Sequence, residues 1–237
     1  MKVYPVYLNR LHEKKTVLIG GDHEAERKAK ELLECDANIT LISPEITPET
    51  KKLVDEGQIE WISRYYREGD LSGAFLVIVA EFHGDINERV YREADEKGIL
   101  VNVMDDIPHC TFTFGSLVKR GRLTISISTS GAAPTLAVRL RQRFEKEFGP
   151  EYKPFLDFMY QLRKPMAAQY PDFETRKDLW YTLIDSDVLD LFRQENIDEA
   201  HKVAGTIVGD EVVYKALGKS QPRPLRKVIR KLMTIFS

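Results

Sequence analysis

Short apolar, β-branched runs alternate with segments of helical periodicity over the first 110 residues. Thr16-Val17-Leu18-Ile19 is predicted as a buried strand, closed at once by Gly20-Gly21. From Ala25 to Glu34 the pattern is helical: Ala25, Ala29, Leu32 and Leu33 share a face, with Arg27, Lys28, Lys30 and Glu31 elsewhere. Ile39–Ile42 predicts a second strand, stopped by Ser43-Pro44, and Thr47-Pro48-Glu49 opens a helix reaching Val54. Ile59–Ile62, Phe75–Val79 and Leu100–Val103 read as further strands, the middle one apolar enough to be covered on both faces. A helix from Asn87 to Lys97, with Val90 and Ala94 inward, separates the last two. This alternation predicts an α/β fold with a parallel sheet and helices on both sides.

After Pro108 the pattern changes. Phe112–Val118 and Leu123–Ser128 alternate as strands do and are joined by Lys119-Arg120-Gly121-Arg122, which predicts a hairpin. Ser128-Thr129-Ser130-Gly131-Ala132-Ala133 then leads into a helix from Pro134 to Phe148, ended by Gly149-Pro150. The rest reads as helical, with Thr206–Val208 the one strand-like exception. Breaks near 113 and 150 predict three parts: residues 1–113, 114–150 and a helical domain over 151–237.

Composition narrows the function classes. With 35 Lys and Arg against 37 Asp and Glu in 237 residues, the net charge of -2 excludes a globally basic nucleic-acid binder. Two cysteines, Cys35 and Cys110, cannot build a disulfide framework or a four-cysteine metal site, so no resident metal is expected. The opening MKVYPVYLNRLHEKK lacks the apolar core of a secretory leader, and no apolar run has the length of a spanning helix. A cytoplasmic protein is the expectation.

The strand–glycine–helix turn carries the first candidate chemistry. In a Rossmann-like dinucleotide cradle the first glycine permits the tight turn, the second lets the backbone approach the pyrophosphate and the third packs helix on strand. Here Gly20 fits the first position and Ala25 substitutes at the third, but Asp22 stands at the second, where its carboxylate would face two phosphates. Glu24 occupies a position that usually points into the sheet, and the second strand ends in Ser43 rather than an acid for the ribose.

Four blocks in order and spacing resemble the siroheme-synthase N-terminal family of precorrin-2 dehydrogenases, some of which also insert iron. They are Gly20-Gly21 through Ala25–Ala29, Asn102-Val103-Met104-Asp105-Asp106, Phe112-Thr113-Phe114, and Ser128 through Ala137. The resemblance implies a dinucleotide-binding domain, a dimerisation segment built from hairpin and helix, and a small helical domain. It further implies NAD-dependent oxidation of precorrin-2 to sirohydrochlorin by a homodimer, with Fe(II) as a second substrate in bifunctional members. On the matching positions it implies Asp105 as the catalytic carboxylate; Gly20, Gly21, Asp22, His23 and Glu24 as the cofactor loop; Ser43 and Pro44 on the adenosine side; and Ala80 and Glu81 beside the nicotinamide. A chelatase without useful NAD binding and a non-catalytic tetrapyrrole-binding protein remain alternatives.

An acidic tetrapyrrole calls for hydroxyls, backbone N–H groups and guanidinium groups. Ser128, Thr129, Ser130 and Gly131 supply the first two kinds, and Arg139 the third, with Arg143 and Lys146 further along the helix; a plain capping loop and a solvated basic face explain the same residues. His109 and His23 could assist proton transfer, meet a metal or simply be exposed, and Cys110 reads as packing. Over 221–237, Leu225, Val228, Ile229 and Leu232 recur at helical spacing among five cations, which predicts a basic amphipathic helix.

Overall fold

The computed structural model describes residues 2–80 and 84–219. The predicted helix over 221–237 and Glu81 lie outside the described residues. The contacts divide the chain into two compact units, one ending at Phe114 and the other beginning at Gly115.

In the first unit, β1 (Lys15–Ile19), β2 (Asn38–Ile42), β3 (Ile59–Ile62), β4 (Ala74–Val79) and β5 (Leu100–Val103) form one five-stranded sheet in the order β3-β2-β1-β4-β5. Every pairing is parallel, with Val17 opposite both Thr40 and Val77. Helices α1 (His23–Leu33), α2 (Pro48–Asp55) and α3 (Gly84–Glu96) supply crossovers. Side-chain alternation splits the strands between two cores. Leu18, Leu41 and Ile78 pack with Ala25, Ala29 and Leu32 of α1, whereas Val17, Ile19, Val77 and Val79 pack with Val90 and Ala94 of α3. Both faces are covered, as the continuous apolar strands require.

Three local expectations are corrected. α1 begins two residues early, at His23, because Asp22 caps it. Lys28, expected on the outer face, is buried: its ammonium stacks 3.9 Å from the Phe114 ring centroid and meets Glu31 at 2.8 Å. The hairpin's first strand starts at Ser116 rather than Phe112. Phe112 instead belongs to the parallel-sheet unit, where its carbonyl accepts the Asn102 side-chain amide at 2.9 Å and its ring joins the α1-side core.

The second unit opens with the antiparallel hairpin β6 (Ser116–Arg120) and β7 (Leu123–Ile127), turned at Gly121 with φ +59°. Helix α4 (Pro134–Glu147) follows, then α5 (Tyr152–Gln169), α6 (Phe173–Ile184), α7 (Val188–Arg193), α8 (Ile197–Val208) and α9 (Asp210–Ala216). Phe155, Phe158, Leu162 and Met166 of α5 form a core with Leu183, Val188, Phe192, Ala200, Ala204, Val208 and Val212. Thr206–Val208 is therefore helix and not strand: Ala200, Ala204 and Val208, one turn apart, bury together and outweigh the local β-branched preference. A cleft of about 320 Å³ opens along α5 and α6, lined by Leu156, Met159, Tyr160, Arg163, Trp180 and Ile184. Among the described residues no helix is long and apolar enough to cross a membrane.

Candidate functional site

In an open parallel sheet, ligands bind outside the strands' carboxyl ends where the strand order reverses, here between β1 and β4. Hydrogen bonds extend past those ends and bring several expected residues to one edge. Gly20 N–H donates to Ile42 O, Ala80 N–H to Ile19 O and Met104 N–H to Val79 O. Gly20, Ser43, Ala80 and Asp105 thus all follow strands that finish on this edge. Gly20 has φ +122°, open to glycine alone.

Gly21 has a different reason to be glycine. A Cβ there would lie 1.8 Å from Glu45 O and 2.6 Å from Ser43 Oγ, so the bare backbone is needed by the loop after β2. Ser43 is buried, donates its hydroxyl to Glu45 O at 2.7 Å and accepts the Trp61 indole N–H on its carbonyl at 2.9 Å. That hydroxyl is committed within the protein. Pro44 is half-buried, and its carbonyl accepts the Ser63 hydroxyl at 3.3 Å. The exposed acid of this loop is Glu45, two residues beyond the strand end. Sequence reading missed it by stopping at Ser43.

Asp22 is the N-cap of α1: its Oδ1 accepts the N–H groups of Glu24 at 3.0 Å and Ala25 at 2.9 Å. These are the first-turn donors that a pyrophosphate at a helix N-terminus uses. Glu24 does not enter the sheet; it is exposed and meets Arg27 at 2.7 Å. His23 points to solvent, 3.6 Å from Glu26. A dinucleotide fits the glycine turn, provided that the exposed Asp22 side chain swings off the two amides.

Asp105 follows β5 with φ +59°, a left-handed conformation that aspartate tolerates better than most residues. Its side chain is exposed. The loop behind it is tightly held. Asp106 N–H donates to Val103 O at 3.2 Å, Thr111 N–H reaches Val101 O at 2.9 Å, and the Cys110 sulfur accepts Val103 N–H at 3.2 Å. Burial pushes the Cys110 thiol up, and the Asp106 charge adds to the shift. Asp106 Oδ2 stands 2.8 Å from His109 Nδ1, and the His109 ring sits edge-on to Tyr91 with centroids 5.1 Å apart. Cys110 fastens the loop rather than only filling space.

Asn87, near the start of α3, is fully buried, and among the described residues neither its amide nitrogen nor its oxygen has a hydrogen-bond partner. Such a group is costly and asks for a reason. Periodicity alone marks it as a helix residue, so the sequence carries no signal for it.

In the second unit, the loop before α4 holds Ser130 at φ +53° and Gly131 at φ +81°. Ser128 Oγ accepts Ser130 N–H and Thr129 Oγ1 accepts Ala133 N–H, both at 3.1 Å. The loop's hydroxyls thus already cap some of its amides. Arg139, Arg143 and Lys146 are exposed on α4. Among the described residues no group of three His, Cys, Asp or Glu side chains is arranged to hold a metal.

Three family models match successive stretches: "Putative NAD(P)-binding" over residues 8–116, "Sirohaem biosynthesis protein central" over 120–147, and "Sirohaem synthase dimerisation region" over 151–205. The first falls on the parallel-sheet unit, and the second and third carry sirohaem-protein descriptions. Siroheme synthase 1 of Aeromonas salmonicida is 32% identical over 216 residues, 91% of this chain and 46% of that protein. Siroheme synthase of Pseudoalteromonas translucida is 34% identical over 189 residues, 80% of this chain and 40% of that protein. The solved structure of SirC, precorrin-2 dehydrogenase, matches with a TM-score of 0.70 and 25% identity, over 84% of this chain and all of that one. Over residues 8–205 the chain is thus similar, in the order of its matched stretches, to the siroheme-synthase N-terminal family. It spans less than half the length of the siroheme synthases named here.

Proposed function

We propose that this protein oxidises precorrin-2 to sirohydrochlorin with NAD as hydride acceptor, and that it also inserts ferrous iron into the product. The observation that carries the reading is Asp105: an exposed carboxylate fixed by a left-handed backbone at the carboxyl end of β5, beside the strand that flanks the nucleotide turn. There it takes the pyrrole proton that leaves as the hydride departs. NAD, bound at the Gly20-Gly21 turn, supplies the hydride acceptor. Glu45 favours NAD over NADP, because a carboxylate next to a 2′-phosphate is repulsive. Ser128, Thr129, Ser130, Gly131 and Arg139 are assigned to the substrate's carboxylates, on the chemistry of their hydroxyls, N–H groups and guanidinium.

A homodimer is part of the proposal. Exposed Tyr160, Tyr181 and Ile184 along α5 and α6, within the stretch matched by the dimerisation model, support a second copy docking there. A cytoplasmic location is also part of the proposal: two cysteines in 237 residues are too few for a disulfide framework. The three-part division at 113 and 150 is likewise proposed, but the dimerisation role expected of the hairpin and α4 passes to α5 and α6, because the dimerisation model matches 151–205 and the central one 120–147.

A chelatase that uses NAD poorly is the second reading, and the capping of α1 by Asp22 is what favours it. Precorrin-2 given to the full chain with and without NAD, followed by absorbance, separates the two. NAD-dependent formation of sirohydrochlorin is expected; iron insertion without any oxidation would sustain the second reading and remove the first.

A further inference from the structure

The loop after β5 carries a second proton-accepting group that the dehydrogenation does not require. Asp106 stands at the N-cap position of the short 3-10 turn Ile107–His109, yet its side chain caps no amide there. Its carboxylate goes instead to His109 Nδ1 at 2.8 Å. A carboxylate accepts only, so Nδ1 carries a hydrogen, and in the neutral ring the proton-accepting lone pair is the one on Nε2. The imidazole is held by four further features before any ligand arrives. Pro108 stiffens the turn, His109 N–H donates to Asp106 O at 3.0 Å, Cys110 N–H donates to Ile107 O at 3.1 Å, and Tyr91 packs on the ring. Asp106 is 19% exposed and His109 31%, so the pair is partly sheltered while the imidazole remains reachable. A carboxylate on Nδ1 also stabilises the imidazolium that forms when Nε2 takes a proton, as in an Asp–His pair of a hydrolase.

We infer that His109, oriented by Asp106, is the second base for metal insertion, Asp105 being the first. The inference rests on the tetrapyrrole reading given above. The balance of the reaction calls for two acceptors. A divalent ion entering a ring with two pyrrole N–H groups forms bonds to the ring nitrogens and expels both protons; nothing is oxidised or reduced. Oxidation of the precursor releases one proton with its hydride. The metal ends bound to the ring nitrogens that gave up those protons, so the protein's task is to take the protons up. One carboxylate and one Asp-held imidazole, four residues apart on the same loop, match that demand.

Three measurements on the full chain test this. The first is the imidazole tautomer of His109 by 15N NMR, without ligand: Nδ1–H is expected in the wild type and its loss in Asp106→Ala. The second is insertion of Co(II) or Fe(II) into sirohydrochlorin by His109→Ala, expected to fall about 100-fold, in the range of a lost general base. Added imidazole should restore part of that rate, which a merely structural histidine would not allow. The third is NAD-dependent oxidation of precorrin-2 by the same variant, expected to fall at least about tenfold less than insertion does, in keeping with its single proton. An Nε2–H tautomer in the wild type, equal losses in both reactions, or no rescue by imidazole would overturn the assignment. Wild-type protein that oxidises precorrin-2 but inserts no metal would also overturn it while leaving the dehydrogenase reading intact. Wild-type protein active in neither reaction would remove both.

Discussion

Asp22 Oδ1 accepts the backbone N–H of Ala25 at 2.9 Å, so the helix that should receive a pyrophosphate is already capped by the protein's own carboxylate. An N-cap bond of this kind is worth about 1 kcal/mol, and a phosphate must displace it. Asp22→Gly removes cap and charge together and costs the fold only a few tenths of a kcal/mol, because glycine is itself a tolerated N-cap. NAD affinity measured by calorimetry is expected to tighten roughly three- to tenfold, the factor that about 0.7 to 1.4 kcal/mol represents. An affinity equal to or weaker than wild type would mean that Asp22 does not compete for those amides.

Asn87 and Thr16 offer a paired test of function against stability. Both are fully buried, and among the described residues neither the Asn87 amide nor the Thr16 hydroxyl has a hydrogen-bond partner. Replacing an unsatisfied buried polar group with an apolar one of similar shape is near neutral or stabilising, by about 1–2 kcal/mol. Thr16→Val is therefore expected to raise the urea midpoint and leave turnover alone, since β1 uses Thr16 only as strand. Asn87→Leu is expected to hold or raise the midpoint while lowering precorrin-2 turnover, because an orphaned amide near the start of α3 is tolerated for what it binds. A variant as active as wild type would show that Asn87 has no such role.

The sheet was legible from the sequence because β1, β2 and β4 carry near-continuous apolar runs, and β1 and β2 are closed at once by Gly20-Gly21 and Ser43-Pro44. The helical unit was legible in type, and its one error, Thr206–Val208, came from reading three β-branched or apolar residues without the Ala200–Ala204–Val208 stripe that buries them. The candidate site was legible where a residue's role is set by its place on a strand end, as with Gly20 and Asp105. It was not legible where a side chain's partner is remote or ambiguous. Asp22 looks like a repelling charge in sequence and is a cap in three dimensions. Ser43 looks available and is committed to Glu45. Asp106, in sequence only the neighbour of Asp105, is turned onto His109. Hydrogen-bond direction decides all three, and periodicity carries no record of it.

Glu93, in α3, anchors the segment before β4. Its Oε2 accepts the Tyr66 hydroxyl and Gly69 N–H, the latter at 3.0 Å, and Oε1 meets Lys97. Burial pushes the Glu93 carboxyl up, but hydrogen bonds from Lys97, Tyr66 and Gly69 N–H outweigh it, leaving the group below the usual carboxylate range. Asp70 is lowered too, first by its Arg64 hydrogen bonds. A carboxylate whose folded value is depressed stabilises the fold above its unfolded value and loses that contribution as pH falls through the folded one. Stability is thus expected to decline as pH drops below 4.5 for Glu93 and below 3.8 for Asp70. Glu93→Leu leaves the Tyr66 hydroxyl and Gly69 N–H without an acceptor and should cost about 2–6 kcal/mol at neutral pH, at about 1–3 kcal/mol for each orphaned group. The same variant should lose less stability than wild type on acidification; equal acid sensitivity would show that Glu93 is not the titrating group.

The central claim concerns the Asp105 carboxylate, and its most direct test is precorrin-2 turnover by Asp105→Asn. Asparagine accepts the left-handed backbone about as readily as aspartate, so the loop and the fold should survive intact, which circular dichroism and the urea midpoint would verify. Loss of a general base lowers rates by about 100- to 10,000-fold, and a fall in that range is expected in NAD-dependent formation of sirohydrochlorin. A folded Asp105→Asn protein that turns over precorrin-2 at the wild-type rate would contradict the account.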